Sequence, residues 1–451
     1  MWKKNANLII FLIVIALYLV GQFLIGTYHP VEKRFIYNAP ADADFLYYGA
    51  IANTLFNQFP PDNPAFAGVK LTQPFIQYYP LAILAKIINP YNGIRILNIV
   101  YLILFGLLLK SLFPKRYGLP LVILFAGSTI STFVNALGID FISRGFTHAP
   151  FFILLTYALF GKNNYLRYIS IFIAAFINGY LMLITIVFLL VWLIIKKGKE
   201  ELYLFLSGVV GLALATAFIT SEAVDRPFYF LITESLQFNP VEIIKHAVPA
   251  VIIATLYRHK QMMILLAVAI IFGALIQYNP FFPVFMTYFA GAMMLAAGEP
   301  IFDRSLPYSR VIVAIMFVCF IVMAVVKFNP SDMKYFPRHD DKINAAVLWI
   351  NENTDNDACF LSVTADENDL ALVMQYRPVY LGVISHVAHL GLNWRERYNQ
   401  ILQSFQTGRA PEGIDYIFYG PVECKYFPNV RLSYPVAYQD NYVTIYKAGP
   451  D

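Results

Sequence analysis

Apolar runs carrying almost no charge recur from residue 8 to residue 327, each near the roughly 20 residues that cross a hydrocarbon core, with polar residues gathered between them. The first run ends near Ile25 and is followed by a polar stretch from Thr27 to about Tyr78. A bent apolar stretch then runs from Pro80 to Phe113, broken at Asn89-Pro90-Tyr91-Asn92-Gly93, where Pro and Gly interrupt any single helix. Further spans are expected over Gly118–Gly138, Phe151–Phe160, Leu202–Thr220 and Val241–Leu256, with two more meeting at Asn279-Pro280 and a last from about Val311 to Val326. Ile169–Ile195 contains Asn178-Gly179 and has basic flanks on both sides, which predicts two short helices that rise and return. The total is about eleven crossings.

After Asp332 the pattern becomes that of a small α/β domain. A helix is expected around Ile343–Asn351, and strands at Cys359–Val363, Val379–Leu381 and Tyr416–Tyr419. Tyr434–Tyr446, interrupted at Gln439-Asp440-Asn441, reads as a terminal hairpin. No internal repeat and no low-complexity segment is present.

Composition agrees with the pattern. The chain of 451 residues is 59% hydrophobic and 14% charged, against roughly 45–50% and about 25% in soluble domains. This is an α-helical polytopic membrane protein. The net charge of +5 lies largely in short loops between spans, so the positive-inside rule accounts for it and no nucleic-acid partner is expected. Met1-Trp2-Lys3-Lys4 and the long apolar run behind it read as a retained signal anchor, because no small-residue cleavage site follows. Of the three cysteines, Cys319, Cys359 and Cys424, the last two leave room for one bridge in the tail, and their spacing matches no metal motif.

Loop charges set the orientation. Lys3 and Lys4 place the N-terminus in the cytoplasm, and Lys115-Arg116, Lys162 with Arg167, Lys196-Lys197-Gly198-Lys199 and Arg258-His259-Lys260 form further basic inner clusters. The outer loops are then residues 28–78, Ile139–His148 with Asp140, Arg144 and His148, and Ser221–Asn239 with Glu222, Asp225, Arg226 and Glu234. Residues 1–330 form the transmembrane domain, in the plasma membrane, and residues 331–451 an extracytoplasmic α/β domain.

The first external loop carries Asp42-Ala43-Asp44. Behind the pair, Phe45, Tyr48, Ile51, Ala52, Leu55, Phe56 and Phe59 recur at helical spacing, which predicts an amphipathic helix lying on the membrane surface. Asp42 or Asp44 suits its N-cap, and capping alone accounts for one carboxylate. If the pair is extended, period-two geometry aims both side chains the same way. A paired D-x-D then fits either a divalent cation, held through hard oxygen ligands, or a general base acting on an acceptor hydroxyl.

One amino-terminal span, a long external first loop opening with an aspartate, a loop helix, short paired spans and a soluble external tail together resemble the glycosyltransferase C (GT-C) superfamily. Pro60-Pro61-Asp62, Ala67-Gly68 and Tyr78-Tyr79-Pro80 are similar to the loop of an archaeal group called YYY membrane proteins. Arg377-Pro378, Gly382, His389, Asn393-Trp394-Arg395, Arg397, Asp415-Tyr416-Ile417, Gly420 and Glu423 are similar to the carboxy-terminal part of that group, although Leu390 stands where an acid usually follows His389. The resemblance implies a sugar donor linked to a polyprenyl phosphate or diphosphate, with the first-loop aspartate as catalytic base or metal ligand. Those roles fall on Asp44 or Asp42. An external site agrees, because nucleotide sugars are cytoplasmic.

Transfer from such a donor leaves an anionic phosphate, which needs cations near the membrane surface. Arg144 and then Arg226 are the first candidates, since the planar guanidinium donates two bonds to phosphate at once. Lys70 and Lys86 are weaker candidates, and His148 is a further donor. For each, the physical alternative is an interfacial or capping residue. Glu222 and Asp225 are candidates to complete a metal site with Asp42 and Asp44; whether a divalent cation such as Mg2+ or Mn2+ is used, or none, stays open. His386 and His389 are three apart but show no third ligand. Tyr78 and Tyr79, like Tyr47, Tyr48 and Phe281-Phe282, are placed to contact sugar or line a lipid groove, or serve as interfacial aromatics.

The expected function is therefore transfer of a sugar from a polyprenyl-phosphate donor to a lipid, glycan or protein acceptor at the extracytoplasmic face, as a direct displacement that inverts the anomeric centre. The competing readings are a transporter or flippase of a lipid or small solute and a non-catalytic membrane scaffold. Few charges within the spans and no two-fold hydropathy symmetry weigh against transport.

Overall fold

The fold is given by a computed structural model, which describes residues 2–23, 28–29, 34–35, 43–55, 60–71, 75–130, 138–219, 240–275, 281–303, 305–312, 314–315, 318, 341–363, 373, 376–382, 384, 387 and 392–449. The helices of the apolar part are α1 (Trp2–Phe23), α2 (Ala43–Thr54), α3 (Tyr79–Ala85), α4 (Pro90–Leu112), α5 (Gly118–Ile130) and α6 (Gly138–Phe160). They continue as α7 (Asn164–Ala175), α8 (Gly179–Lys196), α9 (Lys199–Ile219), α10 (Pro240–Leu256), α11 (Lys260–Leu275) and α12 (Phe281–Ala297). The tail adds α13 (Asp341–Asn353), α14 (Trp394–Thr407) and α15 (Pro421–Tyr426). Short strands β1 (Tyr28–His29) and β2 (Arg34–Phe35) pair antiparallel, as do β3 (Tyr257–Arg258) and β4 (Glu299–Pro300). The tail strands are β5 (Phe360–Leu361), β6 (Tyr416–Tyr419), β7 (Val436–Gln439) and β8 (Thr444–Lys447).

Among the described residues, α4, α8 and Lys199–Phe218 of α9 are long and apolar enough to cross a membrane, and several other helices are apolar but shorter. The chain is an integral membrane protein. The break inside Pro80–Phe113 lies between α3 and α4, and Asn178 separates α7 from α8. The expected last span, Val311–Val326, lies mostly outside the described residues.

The chain divides into two compact units: Met1–Phe35, Arg95–Ala217 and Leu231–Met333 form one, and Ile36–Ile94, Phe218–Phe230 and Lys334–Asp451 the other. The first is a helical bundle in which α12 packs against α5, α8, α10 and α11. Residues 283–296 of α12 are buried on all sides, as an all-round apolar helix must be. Glycines let neighbours close in: a Cβ on Gly211 would sit 2.8 Å from the Phe172 carbonyl oxygen, and one on Gly291 3.0 Å from the Ala250 Cα.

In the second unit the tail strands form a sheet of order β5-β6-β8-β7, with β5 parallel to β6 and the other pairs antiparallel. The Val379 segment joins its edge, since the Phe360 N–H donates to the Pro378 carbonyl at 3.0 Å and the Tyr380 N–H to the Phe360 carbonyl at 2.8 Å. The first loop continues that edge. The Val379 N–H donates to the Pro64 carbonyl (2.9 Å), the Ala67 N–H to the Val379 carbonyl (3.0 Å) and the Gly382 N–H to the Ala65 carbonyl (2.7 Å). Glycine is required at 382, because a Cβ there would lie 2.7 Å from the Ala65 Cβ.

Three expectations are corrected. Ile139–His148 is not a loop: it belongs to α6, which carries Pro150 in its interior. Proline is tolerated in helices of this kind where neighbouring elements re-satisfy the freed backbone groups, so the helix runs on through His148-Ala149-Pro150. The helix after the aspartates does not lie on a surface: Leu46, Tyr47, Tyr48, Ala50, Ile51 and Ala52 are consecutive or nearly so and all buried. A surface helix needs a polar face for water, and Tyr-Tyr-Gly-Ala-Ile-Ala offers none. The bridge allowed for in the tail is absent, as Cys359 and Cys424 are both free thiols. Burial, helped by the Asp415 charge and opposed by Arg397, pushes the Cys359 thiol up to about 12.

Candidate functional site

Helix α2 begins at Ala43, which puts Asp44 in its first turn, where unpaired N–H groups favour a carboxylate. The helical backbone at Asp44 replaces the extended arrangement that would aim two carboxylates together. Asp42 lies outside the described residues. Behind Asp44 the helix is packed against its neighbours: the Tyr48 ring lies 5.5 Å from the ring of Tyr78 and 6.3 Å from that of Tyr47. Gly49 lets it approach the start of α4, with the Pro90 Cβ 3.5 Å from where a Gly49 Cβ would stand.

The other first-loop candidates have duties within the loop. Lys70 Nζ is 2.8 Å from Asp62 Oδ1, closing a hairpin in which the Asn63 N–H donates to the Val69 carbonyl and the Leu71 N–H to the Pro61 carbonyl, each at 2.8 Å. Tyr78 is buried beneath α2, and Tyr79 is half-buried at the first residue of α3.

In the helical unit, Arg144 and His148 stand on α6 one turn apart, at the i, i+4 spacing that shares a helix face. His148 is buried. Asn178 caps α8, its Oδ1 accepting from the Leu181 N–H at 3.0 Å, and its amide nitrogen lies 3.3 Å from His148 Nδ1. With the Asn178 oxygen committed to Leu181, the amide nitrogen donates to Nδ1 and the neutral ring carries its proton on Nε2. The Phe285 ring lies 5.3 Å from the imidazole. Arg226, Glu222 and Asp225 lie outside the described residues, as do His386 and His389. Among the described residues no three His, Cys, Asp or Glu side chains gather as a metal cluster.

Further polar residues stand out: the sequence reading passed over Arg95 and Asn98, and named Arg397 and Glu423 only for the family resemblance. Arg95 and Asn98, one turn apart on α4, are both fully buried. The signal was present: an arginine inside an apolar span is expensive and marks a special environment. Arg397 lies 3.7 Å from the Phe66 ring centroid and 4.5 Å from that of Tyr380, and donates to the Tyr380 carbonyl at 2.6 Å. It thereby joins the first loop to the tail sheet, at a cation–π contact worth about 2 kcal/mol when desolvated. Burial lowers its guanidinium below the ordinary arginine value. Glu423 is buried at the start of α15 and accepts from Ser362 Oγ, the Val363 N–H and the Gly420 N–H.

The chain matches two crystal structures of ArnT from Cupriavidus metallidurans. The apo structure aligns with a TM-score of 0.57 over 98% of this chain and 99% of that one, at 12% identity. The structure of ArnT bound to undecaprenyl phosphate aligns with a TM-score of 0.56 at the same coverage and identity. No protein-family profile and no curated protein matches the sequence. The likeness extends over 98% of this chain and 99% of ArnT. This chain therefore shares the fold of ArnT.

Proposed function

We propose that this chain is a membrane glycosyltransferase that moves a sugar from a polyprenyl-phosphate-linked donor to a lipid, glycan or protein acceptor on the extracytoplasmic face. The observation that carries the reading is the ArnT-like fold over 98% of the chain. The undecaprenyl phosphate held by ArnT supports a polyprenyl-phosphate lipid as the partner here. Placement of the first loop on the tail sheet supports putting both on one side of the membrane. In this reading about eleven spans of residues 1–330 cross the bilayer, the N-terminus is cytoplasmic, and residues 331–451 are an external α/β domain.

Asp44, in the first turn of a buried helix, is the general base, with Asp42 as the alternative. It takes the proton of the acceptor hydroxyl as that oxygen bonds to the anomeric carbon. The bond from the anomeric carbon to phosphate oxygen breaks with its electron pair going to the lipid phosphate, and the centre inverts. Arg144, with Arg226, neutralises that phosphate, and His148 donates to it one turn along α6. Lys70, paired with Asp62, and Tyr78, buried under α2, are assigned to holding the loop.

The test is transfer of labelled sugar from a polyprenyl-phosphate donor in membranes. Asp44→Asn is expected to lower the rate by about 10²–10⁴-fold, the usual contribution of a general base. Normal transfer by both Asp44→Asn and Asp42→Asn overturns the assignment. Adding a chelator separates base from metal ligand, because undiminished transfer excludes an exchangeable divalent ion.

A further inference from the structure

The unit built from the first loop and the tail contains a cavity of about 310 Å³. That is the lower end of the roughly 300–1,000 Å³ of small-molecule sites, which are mostly apolar with a few polar groups. This one is the reverse. Its wall presents Asn53 and Thr54 from the end of α2, Asn89 from just before α4, Asn351 from α13, and Asn356 and Tyr376. Its apolar parts are small, Ala50, Ala85, Pro90 and Pro378, and offer a polyprenyl chain little to bury against.

Charge narrows the ligand further. The one ionised side chain in the wall is Arg377, and its Nε and Nη2 donors are engaged at the carboxyl end of α13 while Nη1 reaches the Tyr376 carbonyl. Nη2 reaches the carbonyls of Asn351 (2.9 Å) and Thr354 (2.6 Å), Nη1 that of Tyr376 (2.7 Å), and Nε the Thr354 hydroxyl (2.8 Å). No Asp or Glu lines the cavity. A phosphate therefore meets a single buried cation most of whose N–H groups are already engaged, and a metal ion meets no carboxylate. What remains is a set of primary amides and hydroxyls, groups that donate and accept side by side, as sugar hydroxyls do. The Asn89 oxygen accepts from the Tyr91 N–H at 2.9 Å, which fixes the amide and leaves its NH2 as the donor. Burial raises the Tyr376 phenol above its ordinary value, so it remains a hydroxyl at neutral pH.

We propose that this cavity is a subsite for a neutral sugar ring, engaged by the amides of Asn89, Asn351 and Asn356 and the hydroxyl of Tyr376. The acceptor of the transfer reaction is then itself a glycan, a step that rests on the glycosyltransferase reading; the binding of a glycoside does not.

The test uses the full chain in detergent with methyl α-mannopyranoside, methyl β-glucopyranoside and N-acetylglucosamine, read by saturation-transfer NMR, with inorganic phosphate as competitor. Asn351 and Asn356 are exposed, so Asn351→Leu/Asn356→Leu, and Asn356→Ala as a milder change, spare the core. Wild type and Asp44→Asn are expected to bind at least one glycoside, the double variant at least tenfold more weakly with an unchanged melting temperature, and phosphate not to displace it. No binding of any of the three by wild type, equal binding by the double variant, or displacement by phosphate overturns the proposal. If glycoside binding holds while both aspartate variants transfer normally, the base assignment fails and the subsite stands.

Discussion

The two compact units are held together by different physics. In the helical unit, elements approach through small residues, such as Gly211 against the Phe172 carbonyl and Gly291 against Ala250, and the contacts are dispersion between apolar surfaces. In the unit formed by the first loop and the tail, segments hundreds of residues apart in sequence are joined by backbone hydrogen bonds and by charged groups turned inward onto backbone. Arg377 covers the carbonyls of α13, Glu423 gathers N–H groups around α15, and Arg397 sits between Phe66 and Tyr380. Inside a bilayer, helices already satisfy their own backbone, so packing alone remains to be optimised. A loop docked on a sheet edge must find partners for its backbone, and polar side chains supply those the sheet does not.

The sharpest break in that comparison is Arg377→Met. The substitution keeps the apolar stem and strips the donors from carbonyls at the end of α13. Hydrogen bonds from a charged donor to buried acceptors contribute roughly 1.5–3 kcal/mol, and part of the helix end can turn to water, so a loss of about 3 kcal/mol is expected. Hydrogen-exchange protection across α13 should fall accordingly while α8 and α12 stay protected. Unchanged protection in α13 would show that the arginine is not the cap.

A smaller effect is expected from Gly211→Ala in the helical unit, where two terms oppose. Alanine gains up to about 1 kcal/mol of helix propensity. Its Cβ, however, would stand 2.8 Å from a backbone oxygen and 3.1 Å from the Ala175 Cβ, and backbone cannot rotate aside as a side chain can. Overpacking of that kind costs about 1–3 kcal/mol, so the net change is a loss of about 1–2 kcal/mol. Thermal unfolding in detergent measures it, and a stabilised variant would show that α7 and α9 are less tightly apposed.

The same contrast explains what the sequence revealed. Helix positions in the apolar part were legible because bilayer thickness and loop charge act locally: the α7–α8 break at Asn178 and the α3–α4 break before Pro90 both appear as turn residues in the chain. The tail hairpin was legible from alternation around Gln439-Asp440-Asn441. Hidden from the sequence was the joining of Pro64–Ala67 to Val379–Gly382, since a sheet edge advertises nothing about a partner three hundred residues away. For the same reason the α2 aromatics read as a surface helix, when Tyr48 in fact packs on Tyr78. Asp44 and His148 were each visible as residue types in segments read as loops, whereas the Asn178 amide that sets the His148 tautomer is a tertiary contact with no local signature.

The smallest effect is expected at the turn of the β7–β8 hairpin. Asp440 Oδ1 accepts from the N–H groups of Tyr442 (2.7 Å) and Val443 (2.8 Å), and Oδ2 from the Tyr438 hydroxyl (2.7 Å). Burial works to raise this carboxyl, but the three hydrogen bonds favour its ionised form and together hold it below the usual carboxylate value. A depressed folded-state value means that its contribution is fully present above the unfolded value of about 3.9 and fades as pH falls through the lower folded one. Because Asp440 is only half-buried in a surface turn, that contribution is partly screened and amounts to under about 1 kcal/mol. Asp440→Ala should therefore fray residues 436–447 slightly at pH 7, and the difference from wild type should shrink once pH drops below about 3.9. Hydrogen exchange in that hairpin reads both arms. A gap that stayed constant across the titration would assign the turn to backbone geometry alone, with no share from the carboxylate charge.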